Sequence, residues 1–93
     1  MVKPHTKRPS EVIELQYPVS IDGTTVEELS MRRPTVRDQI LFEDGKGSEA
    51  RKIVKMLANL CEVSEETIMD LDQIDFLKIS EVLSGFQEPQ SKN

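Results

Sequence analysis

From Ile13 to Ile21 apolar and polar side chains alternate: Ile13, Leu15, Tyr17, Val19 and Ile21 are separated by Glu14, Gln16, Pro18 and Ser20. A period of two puts one row of side chains on one face of a half-buried strand. Asp22-Gly23 follows, a pair that tolerates positive φ in a type I′ hairpin turn. A second strand is expected from 24 to about 33, where Pro34-Thr35 ends it and opens a helix. The pattern has one irregularity. A two-residue turn pairs Ile21 with Thr24 and Val19 with Val26, yet Leu29 and Met31 fall out of phase with Val26. A one-residue bulge at Glu27-Glu28 restores the phase, setting Tyr17 opposite Leu29 and Leu15 opposite Met31. Pro18 then lies opposite the bulge, where its missing N–H costs least.

After Pro34 the apolar spacing becomes helical. Thr35 is the expected N-cap, with Asp38 at the third helical position near the positive end of the dipole. This first helix is short, about 36–43, with Val36, Ile40 and Leu41 as its apolar stripe, and Asp44-Gly45-Lys46-Gly47 breaks it. Ser48 caps the longest helix, to about 61, where Ile53, Val54, Met56, Leu57, Leu60 and Cys61 recur at helical spacing. Ser64-Glu65-Glu66 opens a single turn ending at Met69. Asp72 caps a last helix with Ile74, Leu77, Val82, Leu83 and Phe86, and with Phe76 and Ile79 on an adjoining face. That arc is wider than one hairpin can cover, which points to a contact surface. The expected fold is α+β: an N-terminal two-stranded antiparallel hairpin packed on three to four C-terminal helices. A lone hairpin is marginal, so its apolar face must lie on the helices, and its open edges favour pairing with a second copy.

Ninety-three residues allow one domain, expected over 11–86 with the hairpin at 12–33 and the helices at 35–86. Polar segments at 1–10 and 87–93 are expected to be disordered tails. A net charge of −5 argues against general nucleic-acid affinity. With no tryptophan the core must be aliphatic, and marginal for a monomer, so a homo-oligomer is expected. A single cysteine, Cys61, fits a reducing compartment. No apolar run approaches the roughly 18 residues of a membrane span, and the N-terminus lacks a signal-peptide core. A cytosolic protein without membrane partners is expected.

The stretch from Tyr17 to Asp38 carries a more specific signal. A β-hairpin running into Leu29, Met31, Arg32, Arg33, Pro34, Thr35, Val36 and Asp38 resembles the small tail assembly chaperones of contractile-tailed phages and Mu-like prophages, whose junction follows an L-x-(M/L)-R-R-P-T-V-x-D pattern. The resemblance continues through Leu57 to Cys61, Val63, Ser64 and Glu66, and then Leu71, Asp72 and Asp75, so it covers about 13–86. Cys61-Glu62 stands where Thr-Gly is usual in that family. The resemblance implies a non-enzymatic chaperone that binds the tape measure protein and assists tail tube assembly. It implies action in the cytoplasm of the bacterial host, absence from the mature virion, and in many such families a longer frameshifted form. The alternative is a small phage- or prophage-encoded regulatory binding protein, with nucleic acid as an open target.

Little catalytic chemistry offers itself. Asp70, Asp72 and Asp75 form the densest carboxylate group, but no glycine or glutamate stands at the spacing of an EF-hand loop, and helix capping explains Asp72 and Asp75. His5 is the only histidine and has no cysteine or second histidine near it, so neither a zinc site nor a catalytic triad is expected. Cys61 sits on an apolar stripe, where a thiol acts as a small hydrophobe. No catalytic, metal or cofactor residue is therefore assigned. Arg32, Arg33 and Arg37, with Arg51, Lys52 and Lys55, could form a basic patch, but no aromatics interleave with them to stack bases. Their simplest role is a solvated face with Glu27, Glu28 and Asp38 as partners, and Arg33 pairing Asp38 would end the core row. The resemblance instead turns the arginine junction toward a partner. Arg32, Arg33, Phe76, Ile79 and Phe86 are the expected partner-binding residues.

Overall fold

The structure is a computed structural model that describes residues 10–89. Expectations for His5 and for tails within 1–9 and 90–93 lie outside the described residues. The order is β1 (Ser10–Ile21), β2 (Thr24–Arg32), α1 (Val36–Asp44), α2 (Glu49–Cys61), α3 (Glu65–Met69) and α4 (Gln73–Phe86), an α+β arrangement. The strands form a two-stranded antiparallel sheet. Asp22 and Gly23 both take positive φ, 50° and 80°, as a type I′ turn requires. Each expected N-cap is in place: Thr35, Ser48, Ser64 and Asp72 accept from a backbone N–H in the first turn of α1, α2, α3 and α4.

The core lies between one face of the hairpin and the helices. α4 packs on β1, α2 packs on β2, and α1 and α3 flank α2. Ile13, Leu15, Val19, Leu29 and Met31 meet Met56, Leu57, Leu60, Cys61, Ile68, Ile79 and Leu83 there, all buried. Burial pushes the Cys61 thiol up to about 11, so it is protonated at neutral pH. Glu62 ends α2 in the left-handed region at φ 58°, with the Val63 N–H on the Ala58 carbonyl at 3.0 Å and the Glu62 N–H on Asn59 at 3.3 Å. This is a Schellman close, and a side chain there costs about 1 kcal/mol relative to glycine.

The irregularity in the hairpin is real, but it sits on the other strand. Val19 pairs with Val26 and Ile21 with Thr24, as expected, whereas Ile13 pairs with Leu29 and Glu11 with Met31. Tyr17 is therefore not opposite Leu29, nor Leu15 opposite Met31. Residues 15 to 18 of β1 face the single residue Glu27 of β2, so β1 carries the extra chain. An odd excess on either strand corrects the phase equally well. The choice is made by Pro18, which has no N–H to offer the ladder, and by α4. The N–H groups of Gln16 and Tyr17 donate to the two carboxylate oxygens of Asp75 at 2.8 and 2.9 Å. Lys78 Nζ donates to the Glu14 carbonyl at 2.8 Å. Asp75, expected to serve the helix N-terminus, is instead fully buried and joins α4 to the bulge.

Candidate functional site

The junction between hairpin and helices converges on Asp38. Arg32 binds it with both terminal nitrogens, Nη1 to Oδ2 at 2.8 Å and Nη2 to Oδ1 at 2.9 Å. The Thr35 N–H donates to Oδ2 at 2.7 Å and the Thr35 hydroxyl at 3.0 Å, while the Asp38 N–H returns to Thr35 Oγ1. Asn59 Nδ2 of α2 donates to Oδ1 at 3.3 Å. One buried carboxylate thus ties β2, the start of α1 and α2 together. The Arg32 guanidinium, followed by the Thr35 donors, holds its pKa down at about 2 against the opposing effect of burial. Arg32, not Arg33, makes this pair, because Met31 is fully buried and the next side chain emerges over the capping residues. The pairing expected for Arg33 with Asp38 is corrected accordingly. Arg33 stacks over the Phe86 ring at 5.5 Å and joins the junction to the end of α4.

Anchoring α1 through Asp38 also sets its rotation. Asp38 and Phe42, one turn apart, face inward. Val36 and Ile40, about 200° around the helix from Asp38, are carried outward. Val36, Ile40 and Leu41 are 76%, 51% and 55% exposed, so the apolar stripe expected on α1 is an outward row. On α4 the inward residues are Asp75, Ile79 and Leu83, and Ile74 and Leu77 stand exposed with Met69 of α3.

Of the five expected contact residues, Arg33 and Phe86 come together and remain partly exposed, and Arg32 is committed to Asp38. Phe76 is half-buried against the core. Ile79, at 0% exposure, belongs to the core and has no surface to offer. Among the described residues, no three His, Cys, Asp or Glu side chains come together as metal ligands.

A cleft of about 670 Å³ lies between α1 and α2. Leu41, Phe42, Met56 and Val63 are apolar groups in its wall, and Lys46, Lys52 and Lys55 line it with them. Lys52 Nζ sits over the Phe42 ring at 5.0 Å.

Residues 12–88 match the family model described as phage tail assembly chaperone proteins, E, or 41 or 14. The chain belongs to this family of phage tail assembly chaperones. No curated protein and no solved structure matches it. The matched stretch runs from β1 past the end of α4, so the chaperone unit is the whole hairpin-and-helix body. Chaperones of this family act on tail proteins within the host cell, generally without enzymatic activity. No helix among the described residues is long and apolar enough to cross a membrane.

Sequence reasoning missed the outward row of α1 because the same residues fit an inward stripe equally well. Asp38 held the signal. An acid at the third helical position that also meets an arginine from the preceding strand fixes which side faces in.

Proposed function

We propose that this chaperone keeps helical segments of the tape measure protein soluble and assists tail tube assembly around them. It does so in the host cytoplasm and leaves before the virion is complete. The observation that carries this reading is exposed apolar surface on the helices of a small body: Val36, Ile40 and Leu41 on α1, and Met69, Ile74 and Leu77 around α4. A long helical client needs apolar surface that many similar segments can use, not one shaped pocket. Arg33 and Phe86, side by side at the start of α1, border the α1 row and extend the contact area.

Co-expression with the tape measure protein of the same phage tests the reading. Soluble tape measure is expected to rise several-fold with the wild-type chain, because a long exposed apolar client is an aggregation liability until its surface is covered. Val36→Asp/Ile40→Asp is expected to remove that rise while staying folded, since both side chains are exposed. An unchanged yield with and without the wild-type chain rejects the proposal. Self-association belongs to the same reading. α4 occupies the β1 backbone at the bulge, and no third strand covers β2 among the described residues. Sedimentation equilibrium at micromolar concentrations is expected to show more than monomer, and a monomer throughout removes this part.

A further inference from the structure

Charge along this chain is unevenly placed. Between positions 32 and 55 seven Lys and Arg stand against four Asp and Glu, a net of +3 within a chain of −5. Part of that excess gathers at the α1–α2 cleft. Lys52, Lys55, Met56 and Asn59 follow one another at i, i+3, i+4 and i+7 along one face of α2, and all four line the cleft. Lys46 adds a third cation from the turn after α1. Among the described residues the one ion pair is Arg32–Asp38, so none of these lysines is neutralised by a carboxylate. Asp44 and Glu65 also line the cleft, and the third carboxylate, Asp38, is already held by Arg32. The Phe42 ring holds the Lys52 ammonium beside the apolar wall at 5.0 Å.

An apolar trough with unpaired ammonium groups along one side suits one kind of occupant. We propose that the α1–α2 cleft docks an amphipathic helical segment of a partner protein, apolar along one stripe and acidic beside it. The apolar stripe lies against Leu41, Phe42, Met56 and Val63, and the carboxylates meet Lys46, Lys52 and Lys55. α1 has nine residues, a wall of about 13 Å, which matches two to three turns of a docked helix. Nucleic acid fits less well, because the lysines border an apolar wall whose one ring, Phe42, already carries Lys52. The proposal rests on the chaperone reading only for the natural source of the segment.

The test uses the full chain and a labelled designed peptide of about 16 residues, with leucines at i, i+4 spacing flanked by glutamate. A second peptide carries lysine in place of every glutamate. Fluorescence anisotropy at physiological salt is expected to show the acidic peptide binding at least roughly tenfold tighter. Lys52→Glu/Lys55→Glu is expected to reverse the order, and Leu41→Asp, at an exposed position, to weaken both peptides. Methyl NMR shifts are expected at Leu41, Met56 and Val63. Equal binding of the two peptides, no effect of charge reversal, or shifts confined to Ile74 and Leu77 overturns the proposal. So does a single-stranded oligonucleotide that displaces the acidic peptide from these lysines at similar concentration. Co-expression separates the two readings. If the two peptides bind equally while the wild-type chain still keeps the tape measure protein soluble, the cleft proposal fails and the chaperone reading stands. If the acidic peptide binds the cleft but the wild-type chain leaves tape measure yield unchanged, the chaperone reading fails and the cleft stands.

Discussion

Asp75→Ala is expected to lower the unfolding free energy by about 3 kcal/mol, with a fall in Tm on the order of 15 °C for a domain of this size. The carboxylate is fully buried and accepts from two backbone N–H groups of the β1 bulge, Gln16 and Tyr17. Alanine removes both acceptors at once. The two N–H groups point toward α4 rather than toward β2, so the ladder cannot take them back without re-registering the strand. Asp75→Asn separates this from simple cavity formation. Asparagine keeps the volume but offers one oxygen, and its NH2 group faces the second N–H donor to donor. It is therefore expected to lose most of what alanine loses, whereas an effect of volume alone would spare it. Urea unfolding of the two variants measures the loss, and amide hydrogen exchange at Gln16 and Tyr17 localises it. A variant within about 0.5 kcal/mol of wild type, the range of an ordinary surface change, would show that the bulge does not depend on Asp75.

The role of Asp75 also marks where the sequence stops being legible. Whatever is written in adjacent residues could be read directly. The alternation in β1, the Asp22-Gly23 turn, the four capping residues and the element order all follow from local rules, and all are present. Phase mismatch between Val26 and Leu29 announced a bulge, but phase alone says only that one strand carries an odd excess. Which strand carries it depends on Pro18 together with an acceptor 58 residues from Tyr17, and no local pattern contains the second of these. The same holds for α1, whose apolar residues fit an inward stripe until Arg32 and Asn59 claim Asp38. Ile79 was drawn to the surface by the breadth of the α4 arc. Its neighbours Asp75 and Leu83, one turn away on either side, place it at the centre of the buried face. In each case a buried carboxylate, satisfied wholly or in part from another element, decided the outcome over hydrophobic periodicity. A carboxylate earns no burial in a periodicity count, so both were assigned to helix ends.

Asp38→Ala is expected to cost roughly 2–3 kcal/mol near neutral pH, and its pH dependence identifies the cause. The substitution strips Arg32 of its bidentate partner and Thr35 of the acceptor for its N–H, and it frees Asn59 from α1. In the folded wild type the Asp38 carboxyl titrates at about 2, below the roughly 3.9 of an unfolded aspartate. A depressed carboxylate pKa means that the unfolded state binds the proton more readily. Stability from this group is therefore fully present above about pH 4 and lost as pH falls from about 4 to 2. The lowering corresponds to about 2.5 kcal/mol, most of the expected loss, with the uncharged part of the cap supplying the rest. Thermal midpoints of wild type and variant, measured at steps from pH 7 to pH 2, should stay apart by a constant interval down to about pH 4 and then converge. Convergence would leave only the part of the cap that does not depend on charge. An interval that stays constant to pH 2 would mean that the carboxylate charge contributes nothing and that Arg32 holds the junction through packing alone. Because the same carboxylate fixes the rotation of α1, the variant should also bury part of the Val36–Ile40 row. The exposed apolar surface on which the chaperone reading rests would then fall together with the stability of the junction.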